Sequence, residues 1–280
     1  MIAHMTNFSR RTALQMAVGM TSAYALSRAT GCATKPKAAE TTTPTMARGS
    51  FYSRARGGMQ TNWMIARPPG HTQPLRPIIA LHGEGQNAVE VMNMGVEQVL
   101  AAAVTDGLPP VAFVAVDGGA TYWHARTSGE DAGAMVLDEL LPMLPNHGLD
   151  THRVAFMGWS MGGYGALLLG NRLGAERTAA ICAVSPALFS PPDGDTFPVG
   201  AFDDEAEYAA YSVWGPNGVP SVPIRIDCGE GDEFAASTRQ FVDQLRQPPA
   251  GSFSPGGHDH AYWDQQLPGE VRWIIPSLTA

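Results

Sequence analysis

Long apolar runs, cysteine and positive charge are all scarce in this chain of 280 residues, and each scarcity removes a class of protein. The moderately apolar stretch at residues 13–26 is too short and too polar for a transmembrane helix. Three cysteines, Cys32, Cys182 and Cys228, do not make a disulfide framework. Cys182 and Cys228 fall in apolar strand-like runs, and neighbouring parallel strands rarely give bridge geometry, so both are expected as free core thiols. Lys and Arg number 18 against 26 acids, for a formal net charge of −8 and no basic stripe, which excludes nucleic acid as a partner. No internal repeat marks a solenoid or propeller. His124 has no companion at metal-ligand spacing, and neither a metal nor a cofactor is expected.

Apolar residues make up 44% of the chain and charged residues 16%, enough to bury a substantial single core. The first 31 residues read as a leader rather than as fold. Ser9-Arg10-Arg11-Thr12-Ala13-Leu14 is a twin-arginine motif. Ala29-Thr30-Gly31-Cys32 resembles a lipobox, departing from it at Ala29, where leucine is usual. Export by the twin-arginine route follows, either as a secreted protein or as a lipoprotein held to the membrane through acylated Cys32. Residues 32–49, with their Thr, Pro and Ala, read as a flexible tether, and residues 50–280 as one domain.

Within that domain, strands and helices alternate. Residues 62–66, 77–81, 111–116, 153–157, 178–184 and 224–228 read as strands. Helical spacing covers 89–105, 131–144, the segment after Gly162, 235–245 and 261–275, with Glu130 and Asp131 suited to a helix N-terminus. Buried apolar strands separated by amphipathic helices predict an α/β class: a mostly parallel central sheet with helices on both faces. The alternation breaks at 186–222, rich in Pro, Gly and Asp with aromatics spread through it. That insertion reads either as a lid over the site or as a surface excursion packing its own aromatics.

Gly158-Trp159-Ser160-Met161-Gly162 sits between a predicted strand and a predicted helix, which is the nucleophile elbow of α/β-hydrolases. The tight turn lifts the Ser160 hydroxyl clear of the backbone, and the helix behind it offers free N–H groups to a developing oxyanion. A serine needs a histidine to take its proton and a carboxylate to orient that histidine, here in the order Ser, acid, His. Asp232, in the loop after residues 224–228, is the expected acid, ahead of Glu230, Glu233 and Asp227; a helix N-cap is its plainer reading. Gly256-Gly257-His258-Asp259-His260 supplies the base: His258 is favoured, with His260 the alternative. The oxyanion donors are expected to be the N–H of Met161 and that of Glu84 or Gly83, after the strand at 77–81. The Glu84 carboxylate would oppose an oxyanion, so its side chain is expected to point outward. His82, Trp123, Arg126 and Trp159 are candidate pocket residues. For Trp123 and Arg126 the competing reading is a core indole and an ion pair to Glu130 or Asp131.

Ser160-Met161-Gly162-Gly163-Tyr164-Gly165-Ala166 resembles the elbow of the esterase D and carbohydrate-esterase group, which includes feruloyl esterases and secreted mycolyltransferases. The likeness extends to Leu81-His82-Gly83, to Asp117-Gly118-Gly119 and to Gly257-His258-Asp259 before Tyr262-Trp263, over roughly residues 60–278. The resemblance implies a single α/β-hydrolase domain and a serine esterase or acyltransferase needing no metal. It supports His258, although the Asp-His-x-Tyr pattern of the esterase D branch maps to Asp259-His260 and Tyr262. Three functions remain open: hydrolysis of a small-molecule, lipid or glycan ester; acyl transfer to a sugar or glycerol hydroxyl; and ligand binding on an inactive scaffold.

Overall fold

The computed structural model describes residues 45–190, 198, 200–215 and 217–280. The leader, Cys32 and most of the expected tether lie outside these residues. Eight strands form one sheet: β1 (Met46–Ser53), β2 (Met59–Ala66), β3 (Pro77–Leu81), β4 (Ala112–Val116), β5 (Val154–Trp159), β6 (Thr178–Val184), β7 (Ile224–Gly229) and β8 (Phe253–Ser254). Their spatial order is β1-β2-β4-β3-β5-β6-β7-β8. The β1–β2 and β2–β4 pairs are antiparallel, and every pair from β4–β3 onward is parallel. Strands β3, β4, β5 and β6 are buried along their whole length, as strands covered on both faces must be.

Helices α1 (Ala88–Asn93), α2 (Val96–Thr105) and α8 (His260–Thr279) cover one face. The other face carries α5 (Met161–Leu173), α7 (Ala235–Gln244) and a composite helix. That helix runs from α3 (Ala132–Ala134) through a π-helical turn (Met135–Leu140) to α4 (Leu141–Met143). Cys182 and Cys228 are free and buried. Among the described residues, no helix is long and apolar enough to cross a membrane.

Four local features differ from the sequence reading. Strand β1 starts at Met46, inside the stretch read as tether, because its backbone pairs along all of β2. The single helix expected over 89–105 is two, broken at Gly95, whose φ of 86° is left-handed. Asp131 caps α3 by accepting the Ala134 N–H, but Glu130 turns away to pair with Arg56. The insertion contains a short helix, α6 (Glu205–Tyr211), capped by Asp204. Its aromatics Phe202 and Tyr208 are buried in the main core.

Candidate active site

Elbow geometry follows from close backbone approach. Ser160 adopts φ 53°, ψ −119° between β5 and α5. A Cβ on Gly158 would collide with the Gly162 carbonyl, and one on Gly162 with the Leu81 carbonyl, so both positions need glycine. The Ser160 N–H donates to the Val184 carbonyl at 3.0 Å, tying the turn to the end of β6. Met161 is the first residue of α5, where an N–H has no partner within the helix.

Asp232 is buried just beyond β7, and its Oδ2 lies 2.9 Å from His258 Nδ1. Its Oδ1 accepts the Phe234 N–H at 2.8 Å. Burial pushes this carboxyl up, but hydrogen bonding from His258 and the Phe234 N–H, with the Ser185 hydroxyl nearby, outweighs that and holds it below its ordinary value. Phe234, not Asp232, is the cap residue of α7. Glu230 and Glu233 are exposed. Asp227 is buried within β7, where Arg225 and the Ser252 N–H occupy it. The His258 ring lies between Phe234 (centroids 5.3 Å) and Trp263 (5.2 Å), and its Nε2 has no hydrogen-bond partner among the described residues. His260 is exposed and meets Gln86 instead, at 2.7 Å.

In the loop after β3, the Gly83 N–H donates to Gln86 Oε1 at 2.9 Å, whereas the Glu84 N–H has no partner among the described residues. The Glu84 side chain is exposed and accepts from the Tyr122 hydroxyl at 3.3 Å. Burial, then the neighbouring Glu84 charge, pushes the Tyr122 phenol well up, so it stays protonated and able to donate. His82 is buried. Its Nδ1 faces the Gly83 carbonyl at 2.7 Å, and its Nε2 accepts the Gly118 N–H at 2.8 Å. Burial lowers its pKa, and this neutral ring joins the loops after β3 and β4.

The remaining pocket candidates are placed within the fold. Trp123 is fully buried, donating to the His82 carbonyl at 3.4 Å. Trp159 is buried on the α8 face of the sheet. Arg126 pairs with Asp203 at 2.7 Å and Glu207 at 3.3 Å, rather than with Glu130 or Asp131. It thereby fastens the insertion beside the site. From the insertion, Phe202, Phe189, Phe234 and His258 form a continuous aromatic series, with successive centroids 6.4, 5.6 and 5.3 Å apart.

Ser185, one residue past β6, was missed in the sequence reading. It is buried beside Asp232 with φ 44°, and its only signal was its position at the carboxyl end of a buried strand. Gln86 was missed as well. Away from this edge, Cys182, Asp227 and Glu270 place ligand atoms within 4.8 Å of one another, all buried. Arg225 already neutralises Asp227 there, which disfavours an added cation.

The family model for Esterase matches residues 58–274. The chain belongs to the Esterase family. This esterase is a carboxylic ester hydrolase by class, on the single-domain α/β-hydrolase fold. It resembles FphF, a fluorophosphonate-binding serine hydrolase of Staphylococcus aureus, at 20% identity and TM-score 0.65, covering 82% of this chain and 98% of that one. A ferulic acid esterase is 20% identical with TM-score 0.70, covering 84% of the esterase and 99% of the other chain. The CE1 ferulic acid esterase of Anaeromyces mucronatus is 17% identical with TM-score 0.66, covering 88% and 95%. No curated protein matches the esterase significantly.

Proposed function

We propose that the esterase hydrolyses carboxylic esters through Ser160, His258 and Asp232. The observation carrying this reading is the 2.9 Å Asp232–His258 contact at the strand edge that also bears the Ser160 elbow. Asp232 accepts a hydrogen bond from His258 Nδ1–H, which fixes the proton on Nδ1 and leaves Nε2 as the base. Ser160 Oγ attacks the ester carbonyl while its proton passes to His258 Nε2. The N–H groups of Met161 and Glu84 receive the negative charge on the carbonyl oxygen. Collapse breaks the ester C–O bond, and the leaving alkoxide takes the proton from His258. Water then attacks the acyl-enzyme, gives a proton to His258, and releases the acid as that proton returns to Ser160. The aromatic side chains of Phe234, beside His258, and Phe189, against Phe234, suit an apolar or aryl acyl group, in keeping with relatives named as ferulic acid esterases.

Export and a lipid anchor at Cys32 belong to the same reading, supported by the twin-arginine motif and the lipobox-like Ala29–Cys32 segment. The deciding experiment is hydrolysis of a p-nitrophenyl ester by the parent and by Ser160→Ala. Parent activity should fall to near background in the variant; no activity in the parent defeats the proposal. Product analysis with glycerol or a sugar present separates water from an alcohol as acceptor, and an acylated alcohol as main product would make the protein a transferase.

A further inference from the structure

His260 has no part in that mechanism, yet it stands two residues from His258 in the first turn of α8. Its Nε2 lies 2.7 Å from Gln86 Nε2, while Gln86 Oε1 accepts the Gly83 N–H at 2.9 Å. The Gln86 backbone N–H donates in turn to the Gly83 carbonyl at 3.2 Å. These contacts dictate protonation. The Gly83 N–H demands an oxygen, so the Gln86 carboxamide is oriented with its nitrogen toward His260. A carboxamide nitrogen only donates, and therefore His260 must accept at Nε2 and carry its proton on Nδ1. An imidazolium has no acceptor and cannot close this bridge.

We propose that neutral His260 is a positioning residue for the hydrolase reaction above, clamping the oxyanion loop through Gln86. The proposal rests on that reading of the site. The bridge ties the Gly83–Gln86 turn, which presents the Glu84 N–H, to the helix start immediately after the His258 loop. Oxyanion donor and general base thus share one support, and protonating His260 releases the donor side. Glu90 of α1 and Asp264 of α8 line, with His260, Asn93 and Met94, a surface cavity of about 140 Å³, and Asp259, the cap of α8, immediately precedes His260. The Trp263 ring lies 5.2 Å from the His260 ring.

Two measurements test the clamp. In the first, kcat and KM for p-nitrophenyl acetate are followed from about pH 5 to about pH 9. Over about the first tenfold loss, the parent's kcat should fall toward acid more steeply than one proton allows, because one proton disables the base His258 and another opens the His260 clamp. His260→Gln keeps an acceptor and cannot titrate, so its kcat at alkaline pH should stay within about 3-fold and its acid limb should return to one proton. His260→Ala and Gln86→Ala should each lower kcat about 10-fold with KM within about 2-fold, and the double variant should be no worse than either. A one-proton limb in the parent with undiminished kcat in His260→Ala overturns the proposal.

The second measurement does not need activity. In the Ser160→Ala protein, amide hydrogen exchange over residues 82–87 should accelerate on adding Gln86→Ala or His260→Ala, but not His260→Gln. Unchanged exchange in all three removes the clamp. Faster exchange in a protein whose parent lacks Ser160-dependent hydrolysis overturns the hydrolase reading, and the positioning role with it, while the loop contact stands.

Discussion

Positive φ in non-glycine residues is confined, among the described residues, to Tyr122, Trp123, Ser160 and Ser185. All four lie in loops that follow β4, β5 or β6, on the edge that carries Asp232 and His258. Such backbone costs of order 1–3 kcal/mol per residue and persists only where surrounding contacts fix it. Here those contacts are the Ser160 N–H to Val184, the Ser185 N–H to the Asp227 carbonyl at 2.7 Å, and the buried Trp123 indole. Asp232 is the residue on which this edge converges. An amide in its place retains volume and can still accept the Phe234 N–H, but it no longer favours the proton on His258 Nδ1. Asp232→Asn should therefore lower kcat by about 10³-fold or more with KM within a few-fold. Circular dichroism and thermal melting should show a fold unchanged from the parent. A loss under about 10-fold would remove Asp232 from the orienting role.

At the scale of elements, the sequence was most legible where burial is complete. Strands β3, β5 and β6 are continuous apolar runs, and the elbow announces itself because two glycines must flank its serine. Legibility faded where partners, rather than composition, make the element. Strand β1 alternates only weakly and has one neighbour, and β8 is two residues long, defined by its pairing to Cys228 and Gly229. The Gly95 break in the second helical segment is visible only once φ is known. Of the two histidines in one loop, the sequence favoured His258 for the glycines before it and kept His260 as the alternative. The structure turns His258 to Asp232 and His260 to Gln86 because the ring of one faces β7 and that of the other faces the loop after β3.

The described part of the insertion is held by a guanidinium and by buried aromatics. Arg126 hydrogen-bonds both Asp203 oxygens and the Gly200 and Ala201 carbonyls. Hydrogen bonding to Arg126 and Thr127 holds the Asp203 carboxyl well below its ordinary value. Arg126→Ala should raise amide exchange across residues 203–211 about 10-fold, while the melting temperature falls by only ~2–4 °C. Exchange no faster than in the parent would mean that the buried Phe202 and Tyr208, not the guanidinium, hold this segment.

At the scale of the whole molecule, one residue links stability to pH. Glu270 of α8 is fully buried, and both its carboxyl oxygens lack a hydrogen-bond partner among the described residues. Burial, then the nearby Asp227 charge, raises its pKa well above the ordinary value, whereas Arg225 acts in the other direction. Arg225 is committed by geometry to Asp227, so Glu270 has no cation of its own and its charge is uncompensated unless it keeps its proton. The sign follows from comparing states. Below the ordinary carboxyl value of 4.5, folded and unfolded chains both hold this proton and the contribution to stability is complete. Above it the unfolded chain ionises while the folded chain does not, so stability falls by up to about 1.4 kcal/mol per pH unit until the folded group titrates. Glu270→Gln keeps the shape and removes the titration. Its melting temperature should exceed the parent's at about pH 8, by at least a few degrees, and the advantage should shrink as the pH is lowered toward about 4.5. An advantage that stays constant with pH would show that Glu270 is ionised in the fold, and that Arg225 is shared between two carboxylates rather than committed to Asp227.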